Sequence, residues 1–451
     1  MNKRIVILGA GESGTGAALL AKAKGHDVFV SDIGTIQPKY IQQLKDLGID
    51  YEQGQHTEKK IYETSTIIKS PGIPESAKIL QGAIRRGISV IDEIEFASRY
   101  TNARIIAITG TNGKTTTTLL IYHLLKQAGF NVGLAGNVGE SLAKQMIKDD
   151  KDYFVIEISS FQIDGIDTFS PEVAVLLNIT PDHLNRYDND FKKYINSKFR
   201  LIENLKSNSS FIYFNDDENI KYKIESETYK GVKHPITLSE DTTQSARVIG
   251  DEMLFNINQQ VIQIKQRETT LKGRHNLINT MAAVLAAFKV GVSEKDIRSG
   301  LKTFKNAPHR LEYVATIKDV DFYNDSKATN VEATKYALES FNDSLVWIAG
   351  GIDKGNDYQQ IMKLVNNKVK TLVCLGKDNK KLRNAFHDQI VNMLETDNMK
   401  QAIDSAMNSA KANDVVLLSP ACASFDLFNN YEDRGNQFKE AVLNLKNTYS
   451  N

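Results

Sequence analysis

The sequence predicts an α/β protein with mainly parallel sheets, divided into about three domains. Three observations carry that reading. Short apolar runs recur at Ile5 to Leu8, Ile105 to Ile108, Phe154 to Ile158, Val173 to Leu177, Leu345 to Ala349, Leu372 to Leu375 and Val415 to Leu418, each ending in a turn before a helical pattern. Strands covered on both faces by helices have this appearance. At 451 residues the chain exceeds one ordinary core, and roughly 150 residues per domain suggests about three. Two of the runs lead into glycine-rich turns, Gly9 to Gly14 and Gly110 to Gly113, of the kind that open a helix over an anion.

Composition excludes several classes of function. With 56 basic and 55 acidic residues the net charge is +1, which gives no electrostatic footprint for nucleic acid or an anionic membrane. The two cysteines, Cys374 and Cys422, form no metal-ligand spacing and fit a reducing, cytoplasmic compartment. The first apolar run is short and dissolves into glycines and Glu12, so it reads as a strand and not as a signal peptide. No apolar stretch approaches the roughly 20 residues of a membrane helix.

Taken in order, Gly9-Ala-Gly-Glu-Ser-Gly14 matches the dinucleotide fingerprint, and Asp32 ends the next strand where an acidic ribose partner belongs. A nicotinamide-dependent dehydrogenase is one reading. A sugar nucleotide's diphosphate satisfies the turn equally, and a βα turn without ligand is a third reading. A strand from Ser65 to Lys69 leads into Ser70-Pro-Gly-Ile-Pro74, a rigid turn at the same sheet edge. The first domain boundary falls near residues 96 to 103, before Thr109-Gly-Thr-Asn-Gly-Lys-Thr115. There Gly110 and Gly113 let successive N–H groups converge on phosphate, Lys114 adds a point charge, and Thr115 offers a hydroxyl to a metal ion. The common P-loop has glycine where Ile108 stands, so spacing alone also allows a plain glycine turn with a surface lysine.

Glu157 ends a buried apolar strand, where an unpaired carboxylate is costly. A metal held between Thr115 and Glu157 against nucleotide phosphates answers that cost, and a structural salt bridge is the alternative. Asn178 to Arg186 delivers Asp182 and His183 to the same kind of edge, while Lys198 reads as one solvated helical lysine among many. Residues 207 to 272 turn polar and lose the βα rhythm, and Met253 to Lys265 alternates like one half-exposed strand, an antiparallel excursion. After a second boundary near Lys305 to Pro308, polar loops follow strands at Asn324 to Asn330, Gly350 to Lys354 and Ser419 to Asp426. Carboxyl edges of this kind are where α/β domains bind ligands. Cys422 has no histidine or basic partner nearby in sequence, which argues against a nucleophile.

Together these residues resemble the Mur ligase family over essentially the whole chain. Thr109 to Thr115 is similar to that family's shorter phosphate loop, which accounts for Ile108. The strings Asn324-Asp-Ser-Lys-Ala-Thr-Asn330 and Ser419-Pro-Ala-Cys-Ala-Ser424 are most similar to the branch that adds D-glutamate to UDP-N-acetylmuramoyl-L-alanine for peptidoglycan. The resemblance implies an N-terminal Rossmann-like domain for the UDP end of the substrate (1–97), a central P-loop ATPase (98–306) and a C-terminal Rossmann-like domain that closes over ATP and receives the amino acid (307–451). Ser13, Asp32, Ser70 and Asn137 would then hold uridine diphosphate. Thr109, Gly110, Thr111, Asn112, Gly113, Lys114, Thr115, Thr116, Asn276, Asn279, Arg310, Asp325 and Lys327 would contact ATP. Thr329, Lys354, Ser424, Phe425 and Tyr431 would surround D-glutamate.

The implied reaction runs through an acyl phosphate, with Lys114, Glu157, His183 and Lys198 as the catalytic set. The resemblance also implies a carbamate on Lys198, which would help His183 hold a second metal beside the one on Thr115 and Glu157. Magnesium is expected at both sites, with manganese able to substitute where histidine is a ligand. Expected partners are the two small-molecule substrates, with no nucleic acid, no membrane and a monomeric chain. Asn185 stands where an aspartate is expected, and Ile33 and Gly34 replace polar side chains after Asp32. Another Mur ligase, a folylpolyglutamate-type ligase, the dehydrogenase and a nucleotide-switched binding protein are the alternatives.

Overall fold

The computed structural model describes residues 4–148, 150–257, 260–271, 273–341 and 344–450. They form two compact units, Met1–Thr270 with Ile278–Phe304, and Leu271–Leu277 with Lys305–Asn451. The first unit holds two sheets. One comprises β1 (Arg4–Leu8), β2 (Asp27–Asp32), β3 (Asp50–Gln53), β4 (Thr66–Lys69) and β5 (Ser89–Asp92), in the order β3-β2-β1-β4-β5. All its pairings are parallel. The order reverses between β1 and β4, so the turns that follow these two strands flank the crevice where such sheets take ligands.

The second sheet comprises β6 (Arg104–Thr109), β7 (Val132–Gly136), β8 (Tyr153–Glu157), β9 (Val173–Leu176), β10 (Ser210–Phe214), β11 (Val232–Ile236), β12 (Ala246–Ile249), β13 (Glu252–Ile257) and β14 (Gln260–Lys265). Its order is β14-β13-β12-β11-β10-β9-β6-β8-β7. β6 lies between β8 and β9, which places the ends of three strands side by side. The βα rhythm persists further than the sequence suggested, because β10, the helix Glu218–Ser226 and parallel β11 continue it. The expected single strand from Met253 to Lys265 is instead an antiparallel hairpin, β13 with β14, and residues 258 and 259 lie outside the described residues. Alternation alone does not reveal a reversal of direction. The antiparallel excursion itself is present, through β12, β13 and β14.

Close backbone approach joins the two sheets of this unit. A Cβ on Gly16, in the helix Glu12–Ala23, would collide with the Ser141 side chain. Buried Glu93 accepts from Ser141 Oγ at 2.7 Å and from Ala143 N at 2.6 Å. One apolar cluster runs from Ile7 and Val30 through Ile94 to Phe154 and Ile156.

The second unit carries β15 (Glu312–Ile317), β16 (Val320–Asn324), β17 (Leu345–Ala349), β18 (Val369–Leu375), β19 (Asn392–Thr396) and β20 (Val415–Leu418), ordered β15-β16-β20-β17-β18-β19. β15 is antiparallel to β16 and the other pairings are parallel. The carboxyl ends of β16, β20 and β17 are therefore neighbours, and all three polar loops of the last third emerge together. Fully buried Trp347 fixes one of them, its Nε1 donating to Ser419 O at 2.7 Å. Among the described residues no helix is long and apolar enough to cross a membrane.

Glu95 ties the connection between the first two sheets. Its carboxylate, wholly buried, accepts from the N–H groups of Asp167 (3.0 Å), Thr168 (3.0 Å) and Phe169 (2.8 Å) and pairs with Arg99. Burial pushes its pKa up, but the hydrogen bonds from Thr168, Asp167, Arg99 and Phe169 outweigh burial and hold it below the usual carboxylate value. A depressed folded pKa contributes stability that is complete above the unfolded value of about 4.3 and is lost as pH falls through the folded value. Glu95→Gln is expected to cost about 2 kcal/mol at pH 7. In thermal melts across pH, the gap from wild type should close below about pH 4.

Candidate active site

The turn after β6 is shaped by residues that only a glycine backbone accommodates. Gly110 has φ 150° and Gly113 has φ 85°. A Cβ on Gly113 would run into the Asn279 side chain, which also accepts from Thr117 Oγ1 at 3.3 Å. Asn276 lies three residues earlier on the same helix, Arg274–Lys289. The loop is pinned to the end of β9: Thr111 N donates to Asn178 O at 2.9 Å and Asn112 N to Asn178 Oδ1 at 2.8 Å. Lys114 opens the helix Lys114–Gln127 and folds back, its Nζ 2.8 Å from the carbonyls of both Gly110 and Thr111. The helix starts at Lys114, so first-turn amides of Thr115 and Thr116 lie at the positive end of its dipole.

Beside this loop the parallel register sets Glu157 opposite Ile108. Glu157 is buried; its Oε1 accepts from Asn137 Nδ2 at 2.9 Å, and its Oε2 has no hydrogen-bond partner among the described residues. Thr109 Oγ1, at the end of β6, is buried and equally unpartnered. Among the described residues no three His, Cys, Asp or Glu side chains gather into a metal cage. A carboxylate oxygen without a donor, next to a phosphate loop with a threonine hydroxyl, nonetheless fits magnesium, which takes one or two carboxylates and completes its shell with phosphate and water.

Lys198 overturns its sequence reading as a solvated lysine. It is 1 % exposed, its Nζ donates to the same Gly110 carbonyl at 2.9 Å, and it sits 4.6 Å from the centre of the Tyr194 ring. Burial, reinforced by the Lys114 charge, pushes its pKa well below the usual lysine value, against the pull of Asp182 and Asp164. His183 has φ 52°, and its Nε2 lies 3.6 Å from Asp182 Oδ2. Lys114, Asn137, His183 and Lys198 line one cavity of about 320 Å³, whose far wall includes Pro71 and Gly72. Asn185 lines a neighbouring cavity beside Arg186 and Tyr187.

Asp32 and Ser70 line a second cavity of about 600 Å³, again with Gly72 in its wall. Asn137, expected with them, is at the lysine cavity instead. Ser13 occupies the second position of the helix Glu12–Ala23. A Cβ on Gly14 would strike the Gly9 carbonyl, so the helix start and the turn approach as closely as the fingerprint requires. Asp32 is committed to the turn: Oδ2 accepts from Ala10 N at 2.7 Å and Oδ1 from Gly34 N at 2.8 Å.

Within the second unit, Asp325 is buried, accepting from Ser419 Oγ at 3.0 Å and Leu311 N at 3.2 Å. Burial raises its pKa to about 7, opposed by Ser419, Leu311, Arg310 and Arg434. Lys327 Nζ donates to Tyr431 Oη at 3.0 Å. Ser424 is buried, whereas Phe425 and Lys354 are exposed and Thr329 is half-buried. Cys422 is buried and burial raises its thiol pKa, which removes it as a nucleophile.

Two arginines escaped the sequence reading. Arg186 donates to the carbonyls of Gly72 (3.0 Å), Pro71 (3.1 Å) and Ile73 (3.4 Å) and lies 4.3 Å over the Phe161 ring, so it holds the wall common to both cavities. Arg434, 1 % exposed, donates to Ser326 Oγ (3.0 Å), Ser326 O (2.8 Å), Cys422 O (3.2 Å) and Gly350 O (3.4 Å), binding the three polar loops of the second unit. Neither belongs to a spacing pattern, and their partners are mostly backbone carbonyls.

Comparison with known proteins agrees with this geometry. Residues 3–92 match the N-terminal domain of MurD-like Mur ligases, 108–287 the Mur ligase middle domain and 309–422 the Mur ligase glutamate ligase domain. The chain is 48 % identical over 445 residues to the UDP-N-acetylmuramoylalanine–D-glutamate ligase of Christiangramia forsetii, covering 99 % of this chain and 100 % of that one. It is 50 % identical over 455 residues to the enzyme of the same name from Cytophaga hutchinsonii, with coverage of 99 % and 100 %. Among solved structures, a pseudomurein peptide ligase type C from Methanothermus fervidus superposes with TM-score 0.63 at 21 % identity, covering 99 % and 100 % of the two chains. A MurF ligase from Thermotoga maritima in complex with ADP gives TM-score 0.61 at 16 % identity, covering 94 % and 97 %. With three Mur ligase domains matched in sequence order along it, and 48–50 % identity to D-glutamate ligases over nearly its whole length, the chain belongs to the Mur ligase family.

Proposed function

We propose that this enzyme joins D-glutamate to UDP-N-acetylmuramoyl-L-alanine at the expense of ATP, releasing ADP and phosphate. The observation that carries the reading is the cavity in which Lys114, Lys198 and His183 face a wall made by Pro71 and Gly72 of the first sheet. The alanyl carboxylate of the substrate attacks the γ-phosphate, the bond to the β-phosphate oxygen breaks, and an acyl phosphate forms. Lys114 turns from the loop carbonyls to the phosphates, and the loop amides hold the nucleotide in line. The amine of D-glutamate then attacks the acyl carbon, and phosphate leaves from the tetrahedral intermediate. Glu157 and Thr115 would hold magnesium together with the phosphates, and the ion would supply charge neutralisation at the transferred group.

The depressed pKa of Lys198 supports a carbamate there. A neutral amine attacks carbon dioxide, a C–N bond forms as one C–O π bond opens, and the amine's proton passes to solvent, so the side chain would become an anionic oxygen donor in the cavity it shares with His183. That pair would hold the second metal, where histidine favours manganese more than it does magnesium. We assign the second unit's Arg310, Asp325 and Lys327 to ATP, and Thr329, Lys354, Ser424, Phe425 and Tyr431 to D-glutamate. Domains 1–97, 98–306 and 307–451 divide the work accordingly. The two free thiols fit a cytoplasmic setting. A dehydrogenase is disfavoured because it has no need of the second glycine loop, at Gly110 to Gly113, with its lysine.

Phosphate release from ATP and magnesium with the UDP substrate should require D-glutamate; L-glutamate, L-alanine or meso-diaminopimelate should not replace it, and substitution by any of them would overturn the member assignment. Lys114→Ala should lower turnover by at least about a hundred-fold with the melting temperature retained. Lys198→Ala should lose most activity and regain part of it with added short carboxylates. Wild-type enzyme in carbon dioxide-free buffer should decline in parallel, and full activity of the variant without carboxylates would refute the carbamate.

A further inference from the structure

The cavity of Asp32 and Ser70 has a polar edge that the phosphate-binding turn does not explain. Glu58 and Lys78 line the cavity beside Asp32, and the rest of its wall is mainly apolar, formed by Ile33, Ile73, Pro74 and Ala77, with Ile33 65 % exposed at the rim. Those apolar walls suit the faces of a flat base and offer no hydrogen bonds to its edge. His56 also lines this cavity. Behind it, Ser31 Oγ lies 2.7 Å from Glu52 Oε1 and 2.7 Å from His56 Nδ1. Glu52 also accepts from Thr57 N at 2.8 Å. Burial raises the Glu52 pKa, but Thr57, Ser31 and Lys60 outweigh burial and hold it below the usual value, so it is a carboxylate and only accepts.

The proton bookkeeping follows. Ser31 has one hydroxyl hydrogen, which Glu52 takes at the shorter of its acceptor distances, the other being 3.4 Å to Gln55 O. Ser31 Oγ must then accept from His56, so the ring carries its proton on Nδ1. Burial lowers the His56 pKa against the opposing charges of Glu52 and Asp32, which keeps the imidazole neutral. Its remaining nitrogen, Nε2, is therefore an acceptor in a fixed orientation.

We propose that His56 reads the nucleobase of the UDP substrate, its Nε2 accepting the imide N3–H of uracil between the apolar walls, and that the Glu52–Ser31 pair fixes the tautomer that makes this possible. The inference rests on the ligase reading and assigns the base recognition that Ile33 and Gly34 cannot supply through polar side chains. Cytosine, whose N3 is an acceptor, would face Nε2 with repulsion.

Calorimetric titration of the full chain with UDP, N3-methyl-UDP and 2′-deoxy-UDP tests it. Wild type should bind UDP about five- to ten-fold more tightly than N3-methyl-UDP. His56→Ala should lose a similar factor for UDP and discriminate no further against the methylated base; His56→Gln, which keeps an acceptor oxygen, should recover part of the loss. ADP titration and a thermal melt report on folding of each variant. If His56→Ala binds UDP as wild type does, or still discriminates against the methylated base, the inference is overturned and Glu58 or a backbone carbonyl reads the edge. If its defect instead disappears with 2′-deoxy-UDP, a ribose hydroxyl is the donor and the base assignment is overturned. Failure of wild type to bind UDP, together with no D-glutamate-dependent phosphate release, overturns both the inference and the ligase reading; normal release with an unaffected His56→Ala overturns the inference alone.

Discussion

Two lysines competing for one carbonyl set the character of the central site. Lys114 and Lys198 both donate to Gly110 O, from a helix that begins at the loop and from another that crosses behind it. Two ammonium ions so close inside protein repel, and Lys198, which is more completely enclosed, is the one whose pKa is pushed well below the usual lysine value. The depressed pKa of Lys198 is a consequence of burial together with this crowding. Gly110 holds φ 150° where a Cβ would press on Leu177 at 3.0 Å, so only glycine fits the turn that offers this carbonyl.

The sheets supply the frame that makes the crowding possible. β6 between β8 and β9 brings the phosphate loop, Glu157 and the Asn178 to His183 segment to one edge. β1 beside β4 does the same for the glycine turn and Ser70, whose Oγ lies 3.3 Å from Gly9 O. In the second unit β20 between β16 and β17 gathers three loops, and Arg434 binds them through carbonyls and a hydroxyl, leaving a buried charge with its pKa lowered to about 10, chiefly by burial.

Much of this was legible in the sequence because parallel strands buried on both faces are uninterrupted apolar runs, and because glycines at phosphate loops mark backbone that side chains would block. Glu157 was legible for the same reason: an acid ending such a run demands a partner. Lys198 was not, since a helical lysine looks the same whether it faces water or a closed cavity. Arg186, Arg434 and the Glu52–Ser31–His56 chain were equally hidden, because their meaning lies in contacts between residues that no fixed spacing links. Asn137, expected at uridine diphosphate, donates to Glu157 and lines the cavity of Lys114 and Lys198, a placement its sequence position does not disclose. The hairpin of β13 and β14 reads as one strand because each arm alternates on its own, although the paired positions Met253 and Phe255 face Ile264 and Ile262, which have the opposite parity.

Gly72 carries a different kind of information. It stands in the wall of both cavities, held from behind by Arg186. Unlike Gly9 or Gly113 it has no left-handed φ, and a Cβ built on it meets nothing within 4 Å. The fold would accept alanine or serine there without protest. Both cavities therefore meet bare backbone at this position, and a methyl added there would enter their space while leaving the fold undisturbed.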